Sequence, residues 1–584
     1  MKNIRKIGVA SLVLAAVSTG FSQVVQHPNV VLILTDDQGY GDLGFTGNPI
    51  VKTPVIDKFA RESIRFNNFY VSPVCAPTRS SLMTGRYSLR TGIRDTYNGG
   101  AIMATSEVTI AEMLKTANYK TGIFGKWHLG DNYPCRPTDQ GFDESLIHLA
   151  GGMGQVGDIA TYGKKDSSYF NPILWHNTRQ EAYKGYCSDI FAENAIRFIE
   201  NNRNSPFFCY LAFNAPHAPL QVPDRYYQKY KNSDPSSGFE NDKRPFPIMS
   251  EGEKEVARKV YAMVNNIDDN IGKVLKKIAD LNLEKNTIII FMTDNGPEQK
   301  RYNAGMNGLK GSVYRGGVRV PFYLRYPAMF KGDQEIETVA AHIDVLPTIA
   351  HLCHAEIPKG RIIDGKDLLP VINGEPVTWE NRSLFFYWSR GFPEFYNNIA
   401  LQQGKYKLIG HTGYNSKISE FELFDIKNDP YEQLNIVSSK LSVAEELKTE
   451  LEQVTKELIS SDNLVNPQRI VIGDEHKNPV ILNRNDADGL PGIWSQEEIY
   501  GLWKVSIAEG NYNIRFKFIK PVKGNGQMCL RTRTVIHQMT IKKPETDFVE
   551  MSNVHLDKME CDFIPYYTLG SKRIFPFWVE IEKI

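Results

Sequence analysis

Three short apolar runs in the chain each end in polar residues. Asn29-Val-Val-Leu-Ile-Leu-Thr35 stops at Asp36-Asp37, and Asn286-Thr-Ile-Ile-Ile-Phe-Met-Thr293 stops at Asp294-Asn295. Phe207-Phe-Cys-Tyr-Leu-Ala-Phe213 stops at Asn214-Ala-Pro-His217. Continuous apolar runs of this length, bounded by polar residues, predict strands buried on both faces of a parallel sheet. Between them, residues 188–201 and 251–281 carry apolar side chains at three- and four-residue spacing, the pattern of amphipathic helices. The alternation predicts an α/β sandwich with a mainly parallel central sheet. In open sheets of this kind ligands bind at the carboxyl ends of the strands, where these polar residues fall.

The texture changes from about residue 375. Ser383-Leu-Phe-Phe-Tyr-Trp388, Lys405-Tyr-Lys-Leu-Ile409 and Glu422-Leu-Phe-Asp425 read as strands of a small antiparallel sheet, followed by a helix over about 442–460 with a charged face. Beyond about 467 come short β-rich runs, including Trp503–Ile507, Tyr512–Phe518 and Thr534–Ile541, separated by turns such as Lys523-Gly-Asn-Gly526. They predict a small antiparallel sandwich or jelly roll. The division expected is therefore a leader at 1–22, a catalytic α/β domain at 23–374, a small α+β subdomain at 375–465 and a β-rich accessory domain at 466–584.

The leader reads as a secretory signal. Lys2, Arg5 and Lys6 precede an apolar core at Ile7–Val17, with small and polar residues before a cut near Gln23. The core is too short to span a bilayer permanently, and no cysteine follows it to carry a lipid. A protein exported to the periplasm or secreted, with no membrane anchor, is expected. With 41% hydrophobic and 23% charged residues the 584-residue chain has a globular composition, and its net charge of +1 gives no support for nucleic-acid binding. Seven cysteines are present: one with a chemical role would leave six, either disulfide-bonded or buried as free thiols.

Chemistry concentrates in four motifs. The first is Cys75-Ala-Pro-Thr-Arg79, followed by Ser80-Ser-Leu-Met-Thr-Gly85. The second is Tyr119-Lys-Thr-Gly-Ile-Phe-Gly-Lys126-Trp-His128-Leu-Gly130. The third is Asn214-Ala-Pro-His217-Ala-Pro219, and the fourth runs from Gly308-Leu-Lys310 to Pro321. Asp36, Asp37, Asp294 and Asn295 add four oxygen donors with net negative charge at two strand ends, a set suited to a hard divalent cation.

In this order the motifs resemble those of the type I, formylglycine-dependent sulfatases, in particular exported bacterial arylsulfatase-like and carbohydrate sulfatases. The resemblance covers about residues 28 to 460; only Asn118, where the family often has glycine, departs from the second motif. It implies an alkaline-phosphatase-like fold, conversion of Cys75 to formylglycine by a maturation enzyme, and one Ca2+ held by Asp36, Asp37, Asp294, Asn295 and the modified Cys75. An all-protein oxygen cage favours calcium over magnesium. Arg79 and Lys126 would lie against the formylglycine oxygens, and His128 would take the proton that lets the sulfated hemiacetal collapse. His217 and Lys310 would grip the sulfate and the bridging oxygen, either one serving as proton donor to the leaving alcohol. An ordinary serine would become a stable sulfate ester, whereas the hydrated aldehyde divides one hard step into two easier ones.

The expected reaction is hydrolysis of a sulfate ester, most of all exo-acting removal of sulfate from a sulfated carbohydrate. Arg94, Asp95, Asn98, His176, Trp388 and Arg390 are the candidate sugar contacts. Trp494, Trp503 and Trp578 are candidate sugar platforms in the tail, with core packing the alternative, and Arg315 and Arg319 are equally readable as structural ion pairs. Two other readings stay open: a phosphoester or phosphonate hydrolase built on the same pattern, and a glycan-binding protein with an inactive core.

Overall fold

The computed structural model describes residues 27–584 except 165–166, 240–241, 380, 414 and 543–544, so the expected leader lies outside the described residues. A ten-stranded sheet forms the centre of the molecule. Its middle five strands run in the order Thr287–Thr293, Asn29–Thr35, Phe207–Ala212, Lys120–Lys126 and Glu144–His148, all parallel. Thr35 pairs with Thr293 and Leu34 with Ala212. The register therefore brings Asp36, Asp294 and the segment after Phe213 to one edge.

The sheet is mainly parallel, in five of its nine strand pairings, with antiparallel strands added on both sides of the parallel centre. Phe322–Arg325 pairs antiparallel with both Thr287–Thr293 and Ile64–Phe66, and at the other end Ile173–His176 and Arg179–Ala182 add an antiparallel hairpin. That hairpin turns at Asn177, which takes the left-handed conformation (φ 55°) that such tight turns demand. Apolar layers cover both faces of the sheet. Val30, Leu32 and Leu34 face one layer with Leu82, Met83 and Leu346, while Val31 and Ile33 face the other with Phe191, Met263 and Ile267.

The helix Glu251–Asp280 supplies much of the second layer. It begins with a capping box, Ser250 accepting from the Glu253 amide and Glu253 from Ser250 in return. Val274 and Ile278 extend its buried stripe. The strands Ser383–Tyr387, Asn397–Gln403, Tyr406–His411 and Glu422–Asp425 form an antiparallel sheet, against which the helix Leu441–Ile459 packs Leu447, Leu451 and Leu458.

The chain beyond 466 folds as two facing, mostly antiparallel sheets; among the described residues the one exception is Ile470–Ile472, which pairs parallel with Gly501–Ile507. One contains Gly510–Lys523 and Trp578–Lys583, the other Gly501–Ile507, Gln527–Thr532 and Met559–Leu569. Trp503, Tyr512, Phe516, Phe563 and Val579 fill the space between them. Ile102 and Cys135 join the same apolar cluster, so this sandwich is packed onto the central layers. All seven cysteines are free and buried. Among the described residues no helix is long and apolar enough to cross a membrane.

Candidate active site

Cys75 is the first residue of the helix Cys75–Thr84. Pro77 is tolerated there because first-turn amides have no intrahelical acceptor. A four-residue step along a helix returns to the same face, so Cys-x-Pro-x-Arg places Arg79 one turn below Cys75. Arg79 donates from Nη2 to Asp294 Oδ2 at 2.9 Å and from Nη1 to the Lys126 carbonyl at 2.9 Å.

Lys126 ends its strand beside Phe207–Ala212. Gly125 (φ 124°) precedes it, and a Cβ there would stand 1.7 Å from the Ala212 carbonyl oxygen, so only glycine permits this approach. Lys126 Nζ donates to Asp36 Oδ2 at 2.6 Å. Asp37 is held in the left-handed region (φ 63°); its amide donates to Asp294 Oδ1 at 3.1 Å. Its carboxylate accepts from Asn295 Nδ2 and Lys310 Nζ, both at 2.8 Å, and lies 3.7 Å from His217 Nε2. All the residues expected to catalyse or bind metal therefore converge on one buried cluster.

Three carboxylates thus face three strong cations. Burial alone would push the Asp36 carboxyl up, but Lys126, His217, Arg79 and Lys310 outweigh it and hold Asp36 well below the usual range. Asp294 goes the other way: burial and the neighbouring Asp36 charge raise it to about 8 despite Arg79. Burial would neutralise Lys310, yet Asp37 keeps it charged.

The cluster fits a divalent cation. Single ligand atoms of Asp36, Cys75 and Asp294 all lie within 4.8 Å of one another. Asp36 Oδ1 and Asn295 Oδ1 are buried without a hydrogen-bond partner, which is costly unless something else satisfies them. A cation beside Asp294 would also favour its ionised form.

His128 sits on the other side of Cys75, with Nδ1 3.5 Å from Sγ and Nε2 2.7 Å from the Thr96 carbonyl. The carbonyl can only accept, so Nε2 carries the hydrogen and Nδ1 presents a lone pair to Cys75. Burial and Lys126 keep the ring's pKa well below its ordinary value, so it is neutral.

A cavity of about 300 Å³ opens over Cys75, His128, His217 and Lys310. Trp388 and Arg390, two of the expected sugar contacts, line it. Gly311 lets Trp388 sit against the backbone beside Lys310, since a Cβ there would meet Trp388 Cζ3 at 2.9 Å. Asp95 is buried behind them and accepts from Arg390 Nη1 at 2.7 Å, Trp388 Nε1 at 3.2 Å and the Gly391 amide at 3.1 Å. It holds both side chains without lining the cavity itself.

Arg94, Asn98 and His176 do not line this cavity. Arg94 bonds the Asn98 carbonyl at 3.0 Å and lies 3.6 Å from Asp488, while Asn98 Oδ1 accepts from the Gly489 amide at 3.1 Å. Both fasten the tail to the central layers. His176 lies in a strand of the edge hairpin, 3.2 Å from Glu181. Arg315 and Arg319 bond mainly backbone carbonyls, at Pro430 and Asn67, and Arg319 also stacks on Tyr40.

Sequence reasoning missed Thr96, Tyr97, Gln155, Glu298 and Asn485 in the cavity wall. Trp494, expected only as one of three tail platforms, joins them there, whereas Trp503 is fully buried against Phe575 and Trp578 packs edge-on against Phe548. Tyr97 and Trp494 stack at 5.1 Å and 12°. The Arg390 guanidinium lies 4.0 Å from the Tyr97 ring centroid and 4.9 Å from that of Trp388. Asn485 Oδ1 and Trp494 Nε1 are buried without partners.

Arg301 was also unforeseen. It is buried, clamps Asp42 with bonds of 2.8 and 2.7 Å, and donates to the Asp37 carbonyl at 3.0 Å. Arg301→Met should destabilise the protein by about 3–5 kcal/mol, because it leaves the Asp42 carboxylate buried and alone. Adding Asp42→Asn should recover part of that loss. Denaturant unfolding of the three variants reads it; an additive double mutant would mean the pair is not coupled.

The chain is similar to known proteins along most of its length. The sulfatase family model matches residues 28–355, and the N-sulphoglucosamine sulphohydrolase C-terminal model matches residues 309–457. Human arylsulfatase A is 30% identical, over 77% of this chain and 90% of that protein. The N-acetylgalactosamine-6-sulfatase of Canis lupus familiaris is 30% identical, over 69% of this chain and 76% of its own length. The crystal structure of Ps i-CgsB in complex with k-i-k-neocarrahexaose superposes with a TM-score of 0.64 at 28% identity, covering 75% of this chain and 94% of that one. The chain belongs to the sulfatase family, with its alkaline-phosphatase-like α/β fold, and is a sulfuric ester hydrolase.

Proposed function

We propose that this sulfatase removes sulfate from the end of a sulfated glycan, using formylglycine made from Cys75 and one Ca2+ held by Asp36, Asp37, Asp294 and Asn295. We place it outside the cytoplasm on the strength of the leader pattern, with residues 466–584 as an accessory domain. The observation that carries the sugar reading is the cavity wall. Aromatic rings at Tyr97, Trp388 and Trp494 stand beside the Arg390 guanidinium and the unpartnered polar atoms of Asn485 and Trp494. Sugars present apolar faces to rings and hydroxyls to planar polar groups. Two similar proteins carry sugars in their names or titles: an N-acetylgalactosamine-6-sulfatase and a complex with a neocarrahexaose. A cavity of about 300 Å³ suits a terminal sugar, which supports end-on attack.

In this reading the hydrated aldehyde made from Cys75 would supply one hydroxyl to attack sulfur and displace the alcohol, and a second whose loss of a proton would re-form the aldehyde as the C–O bond to sulfate breaks. His128, with Nδ1 3.5 Å from Cys75 Sγ and its tautomer fixed by Thr96, is the base that would take that second proton. Arg79 and Lys126 hold the carboxylates Asp294 and Asp36 in place. The metal would add positive charge to a cluster whose strong cations and carboxylates already balance, favouring an anionic substrate. His217 and Lys310 both line the cavity, within reach of a leaving alcohol.

Sulfate release from a panel of defined sulfated mono- and oligosaccharides, beside aryl sulfates and aryl phosphates, tests the reading. Arg390→Ala and Trp494→Ala should each lower kcat/KM on the preferred sugar sulfate about tenfold or more, and change a small aryl sulfate far less. Equal losses on both substrates would assign these residues to the sulfate site or to folding. Faster turnover of aryl sulfates than of every sugar sulfate would remove the carbohydrate reading.

A further inference from the structure

The tail sandwich carries a second groove, larger than the catalytic cavity at about 570 Å³. Its floor is the outer face of the sheet containing Gln527–Thr532 and Met559–Leu569. Arg531 pairs directly with Ile536 on one side and Ile564 on the other, Cys529 pairs with Tyr566, and Thr568 pairs with Arg573. Directly paired residues, and residues two apart along a strand, share a face. Arg531, Ile564, Tyr566 and Arg573 therefore stand together, while Leu530, Phe563 and Tyr567 point into the sandwich core.

The charge of this face is unbalanced. Among its cations Lys572 is paired with Glu498. Among the described residues, neither Arg531 nor Arg573 has a carboxylate partner, and the Arg573 guanidinium lies 5.1 Å from the Tyr566 ring centroid. Tyr500, 44% exposed, adds a second phenol to the rim. Two guanidiniums free to grip anions beside rings free to stack match a chain of sugars bearing sulfates. The groove also shares a wall with the active site. The loop of residues 485–500 presents Asn485 and Trp494 to the catalytic cavity and Leu490, Gln496 and Tyr500 to the groove.

We propose that this groove binds sulfated oligosaccharide segments, holding a polymeric substrate through residues that take no part in catalysis. The inference rests on the glycan reading above and adds a site to it. Arg531 and Arg573 would clamp sulfate groups, and Tyr566 and Tyr500 would support sugar faces.

The test uses the full chain with Cys75→Ala, so that nothing is turned over. Its retention on immobilised carrageenan, heparin and chondroitin sulfate is compared with retention on the desulfated form of each. The parent should bind at least one sulfated form, less tightly as salt rises, and its desulfated counterpart poorly. Adding Arg531→Ala and Arg573→Ala should weaken that binding about tenfold or more. In the active enzyme the same two substitutions should leave kcat/KM on a small sulfate ester unchanged, which also reports an intact fold. Undiminished binding by the double variant, equal binding of desulfated glycan, or a parallel fall in small-ester turnover would each overturn the groove assignment. If the groove binds as expected but no sugar sulfate is ever hydrolysed, the substrate reading fails and the groove stands.

Discussion

Cys75→Ala is expected to lower turnover by about four orders of magnitude or more, the scale seen when a nucleophile is removed. Stability should change by only about 1 kcal/mol, since one buried atom is lost and the surrounding network does not pass through it. Sγ touches His128 Nδ1 at 3.5 Å, while the ion pairs Lys126–Asp36, Arg79–Asp294 and Lys310–Asp37 are made without it. Cys75→Ser is the more informative variant. Its single hydroxyl can attack sulfur, but the serine sulfate so formed has no second hydroxyl to expel it. At most one alcohol per chain should be released, with sulfate left on the residue 75 peptide. Mass spectrometry of that peptide checks both claims, and in the parent protein it reports whether the thiol has become the aldehyde. Sustained multiple turnover by the alanine variant would refute the assignment of Cys75.

The central strands were legible because their side chains are apolar on both faces and their ends are marked by acids. The strand Lys120–Lys126 was not read as one, because Lys-Thr-Gly-Ile-Phe-Gly-Lys breaks the apolar run. Gly125 is there for the Ala212 carbonyl, a neighbour about 90 residues away in sequence, as the register shows. The metal candidates were marked by acids at the ends of two strands, and the catalytic candidates by the resemblance of four motifs to the sulfatase family; the structure shows the single helical turn that links Cys75 to Arg79. The sugar candidates had no such anchor. Trp388 and Arg390 reach the cavity because Asp95 holds both, while Arg94 and Asn98, close to Asp95 in the chain, turn towards residues 488–489. Asn485 arrives from the tail through contacts such as Asn483 Nδ2 to Asp131 Oδ2 at 3.0 Å, which join segments more than 350 residues apart. Its loop has no periodicity, so nothing in the sequence pointed to the active site.

Removing the divalent cation is expected to cost activity and lower the melting temperature without unfolding the protein. Each of the three carboxylates has a cationic partner: Asp36 with Lys126 at 2.6 Å, Asp37 with Lys310 at 2.8 Å and Asp294 with Arg79 at 2.9 Å. The metal-free cluster is therefore close to electrically balanced and should stay folded. What it loses is order and field. Asp36 Oδ1 and Asn295 Oδ1 are left without partners, and burial and the Asp36 charge push the Asp294 carboxyl up with no cation to oppose them but Arg79 and Lys126. The net positive charge that draws in a sulfate monoester is gone. We expect chelation to reduce kcat/KM about a hundredfold or more. Restoring the cation at a hundredfold excess over its dissociation constant should stabilise the protein by about 2.7 kcal/mol, seen as a rise in melting temperature. Calcium should restore both better than magnesium, because the donors are protein oxygens and an amide rather than a shell of water. Elemental analysis must accompany the assay: full activity in a preparation shown to be free of metal would exclude the cation from the reaction.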